Sequence, residues 1–191
     1  DVEYLPNPVD TSIFYPKPLK QYNGKRKVLI ASDSNWGVEG TDLGVKALSK
    51  IRDKVNVSII KYGVDFDRTM TLASSLGLHL NVLPKVPHNR VNEYYWGADV
   101  VIGQFKFGCL GLVSLEAIAC GRPVVTYISS EYKQYNGFPL KDVSTVDDAV
   151  EAVKNTSPKL WKSEYSHLGM HHKPQKEANK IRDIYANIAV Y

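Results

Sequence analysis

Residues 108–125 read GCLGLVSLEAIACGRPVV, and they carry the clearest signature of the predicted fold. Two glycines open it, a run of mostly small and apolar residues of helical length follows, and a short β-type run ends it. A strand-sized run, DVVIGQF at residues 99–105, comes just before. A strand, a glycine-containing turn, a helix and a further strand form the repeating unit of parallel α/β proteins. Glu116 is the only acid in the stretch, so its presence needs an explanation.

The same alternation extends outward over most of the chain. Each predicted strand is a continuous apolar run, as expected of a parallel sheet that is covered on both faces. We therefore predict an α/β fold with a doubly wound, Rossmann-like parallel sheet. The predicted strands are residues 27–32, 56–62, 79–84, 99–105 and 122–128, and the predicted helices are residues 41–51, 67–77, 88–98, 112–120, 145–155 and 174–191.

The domain boundaries follow from composition. Residues 1–25 contain four prolines and read as an extended linker, with Ile13 and Phe14 as candidate anchors. Residues 26–170 form the predicted Rossmann-like domain. Residues 171–191 carry a C-terminal helix that begins at Pro174. The chain starts at Asp1 without a methionine, so we expect it to be part of something longer.

Composition narrows the class of protein. The 191 residues are 43% hydrophobic, and they include no apolar run long enough to cross a bilayer. The two cysteines, Cys109 and Cys120, suit reduced core residues in the cytoplasm better than a disulfide. The net charge of +4 suits an acidic ligand, or the anionic face of a membrane. Lys and Arg are scattered rather than clustered with aromatic residues, which argues against nucleic acid.

Glu116 is the first candidate for function. Its helical neighbours are apolar, which predicts a buried helix, and a buried carboxylate needs a partner. A ribose diol, with two hydroxyl donors, would satisfy it. The alternative is that Glu116 only complements the positive end of its helix. The backbone N–H groups of Leu112 and Val113, which follow Gly111 at the predicted helix start, suit a phosphate.

Two familiar nucleotide motifs are absent. No G-x-G-x-x-G follows the first predicted strand, which argues against a dehydrogenase. No P-loop lysine motif is present, which argues against an NTPase. No Asp-x-Asp stands in a position to hold a metal, so we expect neither a metal nor a cofactor other than a donor substrate.

Several segments resemble the group 1 glycosyltransferases, retaining enzymes of the GT-B fold. GLVSLEAIACGRPVV resembles their donor-binding signature, and YLPNPVDTSIFYP resembles the hinge between their two lobes. VPHNRVNEYYWGADVVI and VEGTDLGVKAL resemble segments that precede the signature. The resemblance implies that this chain is the C-terminal, nucleotide-sugar-binding lobe of a hexosyltransferase. Its partner would be an N-terminal, acceptor-binding lobe, toward which the last helix returns, and the isolated lobe would be inactive.

The resemblance also implies roles for particular residues. Glu116 matches the glutamate that hydrogen-bonds the nucleotide ribose. Leu112 and Val113, after Gly111, match the backbone that holds the diphosphate. The frequent lipid-linked acceptors of the family, with the basic charge, allow peripheral association with the cytoplasmic face of a membrane.

The loop after the third predicted strand carries the next roles. Lys85 and Val86 match residues that pass beside the base. The family's first glutamate, which touches the donor sugar, falls instead on Gly108. WGVEGTD resembles a variant subgroup of the family that has a tryptophan in the loop after the first strand. GQFKFGCLG resembles the segment in which that subgroup replaces the first glutamate.

Two basic positions of the family carry acids in this chain. The arginine after the first strand falls near Asp33, and the lysine before the glycine falls on Glu39. Acids there would repel a diphosphate by about 1 kcal/mol each if well solvated. Lys106 or Lys61 is a candidate substitute cation. We favour an altered but working donor site, with a degenerate scaffold lobe and a nucleotide-sugar epimerase as alternatives.

Three aromatic or histidine groups are secondary candidates. We interpret His88 as a helix cap rather than a base or sugar contact. His171 and His172 read as an exposed turn rather than a metal site. The loop that contains Tyr132 and Tyr135 is a less favoured candidate to close over a sugar.

Overall fold

A computed structural model describes residues 7–18, 24–138, 143–172 and 174–188. Five strands form one sheet in the order β3-β2-β1-β4-β5, and every neighbouring pair is parallel. The strands are β1 (Arg26–Ile30), β2 (Val55–Ile60), β3 (Leu80–Leu83), β4 (Val100–Ile102) and β5 (Val124–Val125). The helices are α1 (Thr41–Ser49), α2 (Phe66–Ser75), α3 (Asn92–Gly97), α4 (Leu112–Ala119), α5 (Val146–Asn155), α6 (Pro158–His171) and α7 (Pro174–Ile188). The predicted α/β, Rossmann-like fold is confirmed.

The central strand β1 shows why the strands are apolar throughout. Val28 and Ile30 face one core, which α1, α2 and α5 help to build. Leu29 faces a second core on the other side of the sheet, to which α4 contributes. In register, Ile30 pairs with Ile59 on one side and Ile102 on the other. Both faces of the sheet are therefore dry at its centre, as the uninterrupted apolar runs indicate.

The strand order creates a crevice. The chain moves outward from β1 to β2 and β3, then returns to place β4 on the opposite side of β1. The connections on the two sides of this point lead away from each other, so the loops after β1 and β4 separate. In open α/β sheets, ligands bind in such a crevice, beyond the carboxyl ends of the strands.

Helix α6 was not predicted. Ser157 caps it by accepting a hydrogen bond from the amide of Leu160 at 3.3 Å, and α6 packs against α4. Its Glu164 is fully buried, and the carboxylate accepts the backbone N–H of Val124 at the edge of β5. Burial raises the pKa of Glu164 well above its usual range. Polar residues separate its few apolar ones, so the segment shows only a weak helical stripe.

The interpretation of the histidine pair as an exposed turn is wrong for His172. Its side chain is buried, and its Nδ1 lies 2.9 Å from the carbonyl oxygen of Asn7. The ring stacks on Tyr135 with a centroid distance of 6.2 Å. The N-terminal segment thus supplies a partner that local sequence could not reveal.

The described part of the N-terminal segment, residues 7–18, packs on the domain. The side chain of Phe14 is buried, whereas Ile13 is half-buried. Side chains of α3 bind its backbone: Asn92 donates to the carbonyl of Ile13, and the indole of Trp96 donates to that of Tyr15. This segment is therefore fixed to the surface of the domain rather than hanging from it.

Arg122, from the CGRP sequence, completes this attachment. Its side chain is only 2% exposed, and its guanidinium donates to the carbonyl oxygens of Tyr95, Trp96, Lys17 and Gly121 at 2.9–3.0 Å. One planar fork thus joins the end of α3, the turn before β5 and the N-terminal segment.

Among the helices of the described ranges, none has the length and apolar character needed to cross a membrane.

Candidate functional site

A cavity of about 200 Å³ opens beside the carboxyl ends of β1 and β2. The loop after β3, the turn before α3 and the first turns of α4 contribute to its wall. It is lined by Ala31, Ile60, Tyr62, Lys85, Val86, His88, Val91, Tyr95, Val113 and Glu116. Four residues predicted from the sequence therefore meet in one cavity: Glu116, Val113, Lys85 and Val86.

Glu116 supplies the carboxylate of this cavity. It lies in the second turn of α4, and it is only 4% exposed because the surrounding helix is buried. Its Oε1 lies 2.6 Å from Nε2 of His88, and its Oε2 accepts a hydrogen bond of 3.1 Å from the hydroxyl of Tyr95. A carboxylate offers about four acceptor directions, so the cavity side retains acceptor capacity.

The start of α4 lies next to this carboxylate. Gly111 is the N-cap, with an extended backbone, and within the described chain no side chain caps the helix. The amides of Leu112 and Val113 belong to the first turn, where N–H groups have no intrahelical acceptor. The helix dipole adds positive potential at the same point. Gly111, Leu112 and Val113 thus form a place where backbone donors can meet an anion.

Lys85 and Val86 lie on the opposite wall. The hydroxyl of Tyr94 donates to the carbonyl of Pro84 at 3.0 Å, which ties this loop to α3. The ammonium of Lys85 lies 5.3 Å from the centre of the Tyr62 ring.

Gly108 lies outside the cavity, in the loop that follows β4. Its φ is +68°, and a Cβ built on it would lie 2.6 Å from Cβ of Ser129 and 2.9 Å from the backbone nitrogen of Ser129. A side chain at this position would collide with backbone, so the loop as it is folded has no room for a glutamate here.

Gln104 holds that loop in place. Its Oε1 accepts the amides of Lys106 and Gly108, at 2.9 and 3.2 Å. Its Nε2 donates to the carbonyls of Cys109 and Tyr127, at 2.8 and 2.7 Å. A side-chain amide that makes four hydrogen bonds uses its full capacity, so the loop has a defined shape.

Asp33 and Glu39, two acids that follow β1, lie near each other. Burial raises the pKa of Glu39, and the neighbouring Asp33 raises it further. Burial also raises the pKa of Tyr62 to about 12, assisted by the negative charges of Asp33, Glu39 and Glu116. The hydroxyl of Tyr62 donates to the carbonyl of Ala31 at 3.0 Å. This edge of the crevice is therefore acidic.

Lys106 lies beside the turn that follows Glu39. Its Cγ would lie 3.2 Å from a Cβ on Gly40, and the amide of the preceding Phe105 donates to the carbonyl of Glu39. The side chain is exposed, and no ion pair involving Lys106 or Lys61 occurs within the described ranges. Neither lysine lines the cavity.

In the described ranges, no cluster of three or more acid, His or Cys side chains is arranged to hold a metal.

Sequence reasoning undervalued His88 and Tyr95. The interpretation of His88 as a cap is wrong, because Pro87 is the N-cap of the short turn His88–Arg90 and no described side chain caps it. The ring of His88 contacts Glu116 instead. Tyr95 packs in the core and also donates to the same carboxylate. The available signal was topological: the helices before and after β4 flank the same strand. The less favoured idea that Tyr135 closes over a sugar is wrong, because its ring is buried against His172.

Comparisons with known proteins identify the family of this chain. The profile of the glycosyl transferases group 1 family matches residues 16–160. The lipopolysaccharide glucosyltransferase WaaG of Escherichia coli (strain K12) is 29% identical over 122 residues, which cover 61% of this chain and 33% of that protein. A GDP-mannose-dependent alpha-(1-6)-phosphatidylinositol monomannoside mannosyltransferase of Mycolicibacterium smegmatis is 30% identical over 147 residues, covering 65% and 37%.

Solved structures share the fold of this chain. A sucrose-phosphate synthase from Thermosynechococcus elongatus superposes with a TM-score of 0.77 at 16% identity, over 97% of this chain and 52% of that one. The chain spans about a third of the length of the curated relatives it matches, 33% and 37%. With a five-stranded parallel sheet of this order and a family match that covers most of its length, the chain belongs to the group 1 family of glycosyl transferases.

Proposed function

We propose that this chain is the donor-binding lobe of a retaining glycosyltransferase, which binds a nucleotide-sugar and transfers its hexosyl group to an acceptor. The observation that carries the proposal is the carboxylate of Glu116. It is buried, it lines a cavity at the switch point of the sheet, and it lies beside the open amides of α4. That combination suits a ribose next to a diphosphate.

The expected role of each residue follows from these contacts. Glu116 accepts the ribose hydroxyls, while the amides of Leu112 and Val113 bind the diphosphate. Lys85 and Val86 bound the space for the base. The lobe promotes the reaction by stabilising charge on the departing diphosphate, with Lys106 from the loop after β4 as a candidate cation. One relative carries a GDP-mannose requirement in its name, so GDP is included among the nucleotides to be tested.

The remaining parts of the proposal concern partners. The acceptor would be held by an N-terminal lobe, so we expect this lobe alone to bind the donor without transferring sugar. The excess positive charge of +4 supports peripheral contact with an anionic, cytoplasmic membrane face. Neither a metal nor a further cofactor enters the proposed chemistry.

Calorimetric titration with UDP, GDP and ADP tests the donor site. We expect at least one of them to bind below millimolar concentration, and Glu116→Ala to weaken it about tenfold or more, since a hydrogen bond to a charged group contributes roughly 1.5–3 kcal/mol. Glu151→Ala, which removes an exposed carboxylate from α5, is the matched control and should bind like the wild type. A lobe that binds no nucleotide, or a Glu116→Ala variant with unchanged affinity, would favour a scaffold instead.

A further inference from the structure

We propose that His88 and Tyr95 are positioning residues that aim the carboxylate of Glu116 at a vicinal diol, which makes the site selective for ribonucleotides. The inference rests on the proposed function, and it adds a specificity determinant outside α4. It is carried by the two hydrogen bonds that hold the two oxygens of Glu116 separately.

The first step is the count of acceptor directions. Nε2 of His88 is 2.6 Å from Oε1, and the hydroxyl of Tyr95 is 3.1 Å from Oε2. Each carboxylate oxygen has about two acceptor directions, so each retains one. Two remaining acceptor positions on one carboxylate match the two neighbouring hydroxyl donors of a vicinal diol. A single hydroxyl, as in a deoxyribose, would leave one acceptor of a buried charge unsatisfied.

The second step is the rigidity of the two donors. Tyr95 is buried, and its pKa is raised well above the usual range by burial and by the adjacent charge of Glu116, so its hydroxyl keeps its proton as a donor. The ring of His88 packs on the buried Phe14, with a centroid distance of 5.2 Å. Both donors are therefore fixed by contacts that do not involve the ligand.

The third step is accessibility. The His88 side chain is 70% exposed, whereas that of Glu116 is 6% exposed. His88 thus forms the rim of the cavity, and its replacement leaves the core of the domain intact. Without it, Oε1 loses its fixed donor, and the side chain of Glu116 gains freedom that a bound diol must remove.

The experiment compares each nucleotide with its deoxy analogues. The tightest binder among UDP, GDP and ADP is titrated beside its 2′-deoxy and 3′-deoxy forms, into the wild type and into His88→Ala, His88→Gln and Tyr95→Phe. We expect the wild type to prefer the ribonucleotide about tenfold or more, as one hydrogen bond to a charged group predicts. His88→Ala and Tyr95→Phe should reduce this preference to about threefold or less.

The conservative variant and a control separate positioning from a general loss of structure. His88→Gln keeps an N–H donor and should restore most of the preference. Arg90→Ala removes a neighbouring side chain that pairs with Glu93 and not with Glu116, and it should leave the preference unchanged. If His88→Ala and Tyr95→Phe weaken all three ligands equally, the positioning role is overturned. A wild type that binds ribose and deoxyribose forms alike would instead overturn the ribose role of Glu116, and the inference with it.

Discussion

The carbonyl oxygen of Gly108 accepts a hydrogen bond of 2.8 Å from the amide of Ser129. This bond closes the loop after β4 onto the segment that follows β5. Gly108 has a left-handed backbone there, with a φ of +68°, and any Cβ on it would overlap Ser129. The loop as it is folded therefore has no room for a side chain at this position.

Gly108→Ala should lower the free energy of unfolding by about 1–3 kcal/mol, the range expected for a strained backbone position with a steric overlap. Urea unfolding followed by circular dichroism measures it. Gly169→Ala is the matched control, since this helical glycine has open space around its Cβ position. It should raise stability by about 0.5–1 kcal/mol. A Gly108→Ala variant as stable as the wild type would show that the loop has another conformation of similar energy.

Glu39→Gln should stabilise the lobe at pH 7, and the gain should disappear toward pH 4. The folded-state pKa of Glu39 is raised, first by burial and then by Asp33, so the folded state binds its proton more tightly than the unfolded chain does. This contribution is present below the ordinary pKa of 4.5 and is lost as pH rises through the raised value. Melting temperatures across this pH range check it, with the exposed Glu151→Gln as control.

The same substitution should improve nucleotide binding. Removing one negative charge from the acidic edge of the crevice should tighten a nucleoside diphosphate about fivefold at neutral pH, from a repulsion of about 1 kcal/mol. Titration of Glu39→Gln and of Glu151→Gln separates this local effect from a change in overall charge. Equal affinities would place the diphosphate away from Glu39.

Arg122→Ala should destabilise the lobe by about 3 kcal/mol or more, because it removes the donor of four hydrogen bonds to carbonyl oxygens, two of them buried and two part-buried. Limited proteolysis should then cleave residues 7–18 faster than in the wild type. Arg122→Lys, which keeps the charge but not the planar fork, should fall between the two. An Arg90→Ala control removes an exposed ion pair and should behave as the wild type does. Unchanged protease resistance in Arg122→Ala would show that Asn92 and Trp96 hold the segment without it.

The sequence was most informative where one residue's environment is set by its immediate neighbours. The burial of Glu116 could be predicted because α4 is apolar on nearly all sides. The predicted strand at residues 122–128 contracts to Val124–Val125, since the chain leaves the sheet once its partner β4 ends. The burial of His172 and the ring of His88 on Glu116 depend on distant partners, which local patterns do not encode.

Phe14 connects the N-terminal segment to the candidate ribose site. Its ring lies 5.2 Å from that of His88 and 6.2 Å from that of Tyr95, the two groups that hold the carboxylate of Glu116. A force applied to the polypeptide before Phe14 would therefore be transmitted through the Phe14 side chain to the two residues that hold Glu116. By thermodynamic reciprocity, a ligand seated there would in turn change the force needed to peel the segment away.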